Sequence, residues 1–188
     1  MPLALARRIS AALLCIALLT ASPARAEIEK FMRQCDGKLC ASFRASITIP
    51  DGWTEDKEAS DYFRAQMLLP KGIDFDKAPA KIYVVVRYNR NRQPLSDFLP
   101  DTIKDWKGRA KDAKISRLDD LARAGRPPFV RHTFEAPRLK EQSYELQAVT
   151  TDDDKYGNQF VVTITLSADS KAALEAAQPA YFAILTKY

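Results

Sequence analysis

The sequence predicts an α+β fold, a mainly antiparallel β-sheet with helices packed on both faces (an α/β/α sandwich). The runs Ser143–Thr150 and Gln159–Leu166 are strand-like, and the second alternates apolar and polar residues. The stretch from Leu174 to Tyr188 follows, with apolar residues at the three- and four-residue spacing of a helix. The run Ile82–Val86 is apolar on both faces, which is typical of a central strand that is covered above and below.

Three strands are predicted in the first half of the chain. Ser42–Ile49 alternates well, and Asp61–Leu69 follows the turn residues Pro50 to Trp53, so we expect these two strands to form a hairpin. Lys81–Tyr88 is the third strand. No repeat divides the chain, and consecutive strands with few helices favour antiparallel pairing.

The second half is predicted to begin with a helix over Pro100–Lys111, because proline suits a first helical turn. Lys114–Leu121 and Phe129–Ala136 are the next strands, separated by the turn residues Gly125 to Pro128. The closing hairpin and helix complete the order β-β-β-α-β-β-β-β-α.

The first 26 residues are typical of a cleavable signal peptide. Arg7 and Arg8 precede the apolar run Ile9–Thr20, which is too short to span a bilayer, and Ala24-Arg25-Ala26 suits cleavage after Ala26. A twin-arginine signal is the alternative, and the position of Cys15 argues against a lipoprotein. We therefore expect a periplasmic or secreted protein with no transmembrane segment in its mature chain.

The expected mature chain has one domain, residues 42–188, preceded by an N-terminal segment of residues 27–41. The signal peptide takes three of the 29 basic residues and leaves 26 against 24 acidic residues. This near-balance argues against a general attraction to polyanions.

Cys35 and Cys40 are the cysteines of the expected mature chain, and in an oxidising compartment their spacing predicts a local disulfide. A redox pair, haem attachment and a zinc site are weaker alternatives, because each prefers other spacings or further ligands. No cofactor is expected.

The segment Ile47-Thr48-Ile49-Pro50-Asp51-Gly52-Trp53 resembles the early I-P-x-G-W strand and turn of the PsbP-like fold. That family includes plant oxygen-evolving-complex subunits, a Ran-binding nuclear import factor and small exported bacterial proteins. The element order is similar from Ser42 to Tyr188. The resemblance implies a fold but no function, because the family's members have unrelated partners, and no functional residue carries over.

His132 is the single histidine, and a structural, hydrogen-bonded role in a strand is expected for it. The sequence contains no G-x-S-x-G, H-E-x-x-H, Walker A or dinucleotide-binding pattern. Asp152-Asp153-Asp154 is the best metal candidate, but Tyr156 and Thr163 break its EF-hand register. A solvated hairpin tip is expected there, with weak Ca²⁺ binding as the alternative.

Charge gives the best indication of a partner. Residues 87–131 carry twelve basic and six acidic side chains, and Arg87, Arg90 and Arg92 cluster around a strand end as candidate partner-binding residues. A plain solvated surface is the alternative. Export argues against a nucleic-acid partner and leaves an envelope protein or an anionic surface.

The sequence predicts no catalytic residue. We therefore expect a non-enzymatic binding or assembly module of the bacterial envelope that acts through protein or anionic-surface contacts. The alternative is a small envelope hydrolase with paired carboxylates. A cleft of desolvated carboxylates would favour the hydrolase, whereas an apolar groove rimmed by arginine would favour binding.

Overall fold

The computed structural model describes residues 27–35 and 37–188, so the predicted signal peptide lies outside the described residues. The strands are β1 (Ile28–Cys35), β2 (Lys38–Ala45), β3 (Trp53–Glu55), β4 (Gln66–Pro70), β5 (Ala80–Tyr88), β6 (Lys114–Arg123), β7 (Arg126–Glu135), β8 (Tyr144–Asp153) and β9 (Gln159–Ala168). The α-helices are α1 (Lys57–Phe63), α2 (Leu99–Arg109) and α3 (Lys171–Lys187), and short 3₁₀ turns cover Phe75–Lys77 and Leu95–Asp97.

Most strands of the described chain belong to one antiparallel sheet in the order β3-β4-β5-β9-β8-β7-β6, which we call the main sheet. Its centre is the closing hairpin, since β9 pairs with β8 on one side and with β5 on the other. Strands β1 and β2 pair only with each other within the described residues, and we call them the N-terminal hairpin.

The predicted helical face of α3 is confirmed. The Ser170 hydroxyl caps the helix by accepting a hydrogen bond from the backbone N–H of Ala173 at 3.1 Å. The side chains at the predicted spacing are buried in one core with the strands beneath, and they are Leu174, Ala177, Tyr181, Ile184 and Tyr188. This helix therefore anchors one face of the main sheet.

The predicted sandwich with helices packed on both faces is wrong. Neither face of the main sheet carries a full layer of helices in the described chain. One face is covered by α3 together with the N-terminal hairpin. On the other face α2 packs at one end, where Trp106 stacks on Phe134 at a centroid distance of 5.3 Å. In β5, Ile82 and Val84 are buried, but Tyr83 and Val85 on the opposite face are only half-buried.

The first half of the chain also differs from the prediction. The stretch predicted to begin at Ser42 starts earlier as β2 and pairs with β1, not with the next strand. Residues predicted as the start of the second strand form α1, which Asp56 caps by accepting from Ala59 N–H at 3.0 Å. The helix ends at Arg64, whose φ of 55° is left-handed.

None of the helices within residues 27–35 and 37–188 is long and apolar enough to cross a bilayer.

Candidate functional site

The N-terminal hairpin contacts the main sheet near the end of β5. Ile28 and Ala45 are buried in the core, and the Phe43 ring lies 4.8 Å from the Phe160 ring and 6.1 Å from the Tyr88 ring. Arg44 ties the hairpin to β3 through an ion pair with Glu55 at 2.6 Å. Because a two-stranded hairpin is too narrow to cover the sheet, an open cleft lies on each side of it.

The first cleft has a volume of about 640 Å³ and lies between β2, the end of α1 and the end of β5. We call it the arginine cleft. Its basic residues are Arg33, Arg44, Lys57, Arg64 and Arg87, against the acidic Glu55 and Asp61. Apolar side chains complete its wall, and they include Phe31, Phe43, Phe63, Val84, Val85 and Val86.

The cations of the arginine cleft differ in their contacts. Arg44 is neutralised by Glu55, and Arg33 donates through Nη2 to the backbone oxygen of Asp61 at 3.1 Å. Arg64 and Arg87 are exposed and form no ion pair with any carboxylate of the described chain. Two guanidinium groups are therefore open to an anionic partner.

The second cleft, of about 800 Å³, lies on the other side of the hairpin. We call it the aromatic cleft, because Phe31, Phe43, Tyr88, Tyr156 and Phe160 line it. Its charged residues are Glu27, Glu29, Asp153 and Asp154 with Lys30 and Lys155, so its balance is acidic.

The three arginines predicted as partner-binding have different surroundings. Arg87 lines the arginine cleft, and Arg90 is exposed in the connection after β5. Arg92 donates to the backbone oxygen of Gly157 at 2.8 Å and lies 3.8 Å from Asp153 Oδ2. Arg92 therefore holds the β8–β9 turn, and partner binding by the three arginines stays a prediction.

Cys35 and Cys40 lie diagonally across the N-terminal hairpin. Cys35 is opposite Lys38 and Cys40 is opposite Arg33, which places both cysteines on one face. A hydrogen bond with Cys40, supported by Arg33 and Arg64, lowers the pKa of the Cys35 thiol. The structure holds both residues as thiols in contact, and the disulfide stays a prediction.

The Asp152-Asp153-Asp154 run is not a uniform solvated tip. Asp152 is buried, with Oδ2 accepting from Arg123 Nη2 at 2.8 Å and Oδ1 lying 3.9 Å from Arg126 Nε. Asp154 accepts from the backbone N–H of Asn158 at 2.8 Å. Partial desolvation opposes these contacts, but hydrogen bonds from Asn158 prevail and lower the pKa of Asp154.

No cluster of His, Cys, Asp and Glu in the described chain could hold a metal ion.

The sequence did not predict the buried ion pair between Arg123 and Asp152. Its signal was the two-residue period of a strand, which places Asp152 on the same face of β8 as the buried Ala148 and Thr150.

Glu145 is the carboxyl with the most perturbed surroundings. Burial raises its pKa to about 7, opposed in part by the charge of Arg109 and by the hydrogen bond from Tyr83. The Tyr83 hydroxyl lies 3.2 Å from Glu145 Oε1. This polar group lies under α2 and lines neither cleft.

His132 is buried in β7, opposite Arg117 and Gln147. Burial, together with the charge of Arg117, lowers its pKa. His132 therefore lies in a strand as expected, but its Nδ1 has no hydrogen-bond partner in the described chain.

No protein-family model and no curated protein matches the chain. The resemblance to the PsbP-like proteins stays a prediction from the residues that suggested it.

Proposed function

We propose that the protein is a non-enzymatic exported binding or assembly module that holds an envelope protein in the arginine cleft. The observation that carries this proposal is a cleft with an apolar wall that is rimmed by Arg64 and Arg87, two exposed cations that form no ion pair with a carboxylate of the described chain. Its volume falls in the range of about 300–1,000 Å³ that is typical of binding clefts.

Charge gives the cleft a preference among partners. Five basic and two acidic side chains line it, and the aromatic cleft on the other side of the hairpin is acidic. Opposite potentials on two sides of one hairpin orient an anionic partner toward the arginine side. This arrangement raises the association rate more than the final affinity, and salt screens it.

Hydrolysis by paired carboxylates has less support. Glu145 has the raised pKa expected of a general acid, but its contacts are Tyr83, Ser167, Trp106 and Arg109, with no second carboxylate among them. The carboxylates of the aromatic cleft are exposed or half-buried. Although partial desolvation opposes it, hydrogen bonds from Asn158 lower the pKa of Asp154, which does not suit a general acid.

Photo-crosslinking in cells tests the proposal. Phe63 lies at the arginine cleft with half its surface exposed, and benzoylphenylalanine in its place should form adducts with an envelope protein. Tyr156, an exposed aromatic residue of the other cleft, is the matched control position and should form none.

The adducts at position 63 should disappear when Arg64→Glu and Arg87→Glu are combined, because the cleft then repels an anionic partner. Adducts at position 156 alone, or adducts that are indifferent to both charge reversals, would contradict a partner in the arginine cleft.

A further inference from the structure

Strand β5 is longer than its neighbour β4. Strand β9 pairs with β5 from Ala80 to Tyr88, but β4 pairs only with Ile82 to Val84. Beyond Val84, the edge of β5 that faces β4 therefore has no strand partner in residues 27–35 and 37–188.

Val86 and Tyr88 direct their backbone N–H and C=O groups toward this unpaired edge of β5. The backbone N–H of Asn89 donates to the oxygen of Gln159 at 2.8 Å, so odd-numbered residues of β5 bond to β9. Because hydrogen bonds of an antiparallel strand alternate between its two sides, Val86 and Tyr88 point to the opposite edge. No hydrogen bond of the described chain reaches their backbone groups there.

This open edge borders the arginine cleft. The consecutive residues Val84, Val85, Val86 and Arg87 all line the cleft, although neighbouring side chains of a strand point to opposite faces. A cleft that contacts every residue in turn lies along the edge of the strand.

The outer edges of the main sheet are less suited to pairing. Strand β3 covers only Trp53–Glu55, and β6 is interrupted by irregular register between Leu118 and Arg123. Charged residues also mark β6 at Arg117, Asp119 and Asp120. Short, irregular and charged edges are the usual protection against strand addition, and the recessed edge of β5 lacks it.

We propose that an extended acidic segment of the partner protein adds to β5 as a strand inside the arginine cleft. This inference rests on the proposed function and specifies how the partner binds. Backbone hydrogen bonds to Val86 in the cleft and to Tyr88, just beyond the residues that line it, supply the pairing. Arg64 and Arg87 supply the charge complementarity.

The register of the sheet also specifies a pattern for the segment. Tyr88 and Val86 share the face on which Phe43 lies, so a residue opposite Val86 points toward the N-terminal hairpin and should be apolar. Residues opposite Val85 and Arg87 point to the other face, where the guanidinium of Arg87 favours a carboxylate. The segment should therefore alternate acidic and apolar residues.

A fluorescein-labelled octapeptide of alternating glutamate and valine is the probe, with purified exported protein and anisotropy at low salt. We expect saturable binding that Arg87→Gln weakens about fivefold, the effect of losing one exposed ion pair. Arg138→Gln removes the same charge from an 86% exposed side chain outside both clefts and should leave binding unchanged.

Backbone methylation separates strand addition from charge attraction without changing the protein. The valine amides of the probe would face Val86, and the glutamate amides would face away. N-methylation of the valines should therefore abolish binding, whereas N-methylation of the glutamates should leave it within about twofold.

Absence of binding at millimolar probe, equal binding of both methylated probes, or equal binding of a probe with its glutamates and valines in two blocks would overturn strand addition. Strand addition would also be overturned if phosphatidylglycerol vesicles displaced the peptide from the protein and if their binding depended equally on Arg64 and Arg87. The ligand of the cleft would then be a lipid headgroup. Cellular crosslinks at position 63 together with any of these results overturn only the binding mode and leave the proposed function standing.

Discussion

Replacing Asp152 with asparagine should remove the charge that holds two arginines inside the fold. Asp152 lies 2.8 Å from Arg123 and 3.9 Å from Arg126, and the side chains of Asp152 and Arg123 are 7% and 5% exposed. Arg126 also donates to the backbone oxygen of Tyr188. The carboxylate therefore joins β6, β7 and β8 to the end of α3.

The expected loss in the free energy of unfolding depends on which contacts Arg123 loses and which it keeps in Asp152→Asn. Breaking a buried ion pair by removing one partner typically costs about 3–5 kcal/mol. Arg123 keeps its bond to Thr150 Oγ1 at 2.9 Å and its position 4.9 Å from the Phe129 ring centre. We therefore expect the lower end, about 3 kcal/mol, and a fall in melting temperature of about 6–12 °C.

Urea unfolding measures the loss, and Asp153→Asn is the matched control. Asp153 is the adjacent residue, 43% exposed and 3.8 Å from Arg92, so its replacement should cost less than about 1 kcal/mol. If Asp152→Asn is no more destabilising than Asp153→Asn, the buried pair does not stabilise the fold and the reasoning is wrong.

Three further predictions concern protonation, oxidation and processing. Glu145 has a pKa of about 7 in the folded protein, above its usual value, so protonation of Glu145 stabilises the fold at low pH. This contribution to the free energy of unfolding is lost as the pH rises through about 7. Glu145→Gln should shrink the difference between the free energies of unfolding at about pH 5 and about pH 8, and an unchanged difference would contradict this. Cys35 and Cys40 should resist alkylation in the non-reduced exported protein, and replacing both with alanine should cost about 2 kcal/mol; two alkylated thiols would contradict the disulfide. N-terminal sequencing of the exported protein should begin at Glu27, and retention of Met1 on a cytoplasmic product would contradict the signal peptide.

The regular elements of the second half could be predicted because their faces differ in polarity. The spacing of α3 corresponds to its buried face, whereas the alternation of β9 indicated the strand correctly although residues on both of its faces are buried. Strand β1 gave no such signal, because most of its side chains are exposed or half-buried. Helix α1 is short, and its cap at Asp56 determines it more than any apolar face.

The sandwich prediction failed at β5. An apolar run on both faces predicted cover by helices on both sides, but only the face of Ile82 and Val84 is buried. Tyr83 and Val85 are half-buried under a sparse covering. Apolar character alone does not determine which element covers a strand.

The candidate site could be predicted only in part. Arg87 was singled out from the sequence, but Arg33, Arg44 and Arg64 come from β1, β2 and the end of α1. Arg33 and Arg44 meet Arg87 because the N-terminal hairpin packs against β5, and Arg64 does so because α1 leads into β4, the neighbour of β5. Such convergence depends on tertiary packing, which charge counting along the chain does not detect.

Amide hydrogen exchange by NMR tests the open edge of β5 most directly. Without a ligand, the amides of Val86 and Tyr88 should exchange rapidly, because they point to the unpaired edge, whereas those of Val85 and Arg87 should be protected by β9. Addition of the alternating glutamate–valine peptide should protect Val86 and Tyr88 and leave Val85 and Arg87 unchanged. Unchanged exchange at Val86 and Tyr88 in the peptide-saturated protein would contradict strand addition in the arginine cleft.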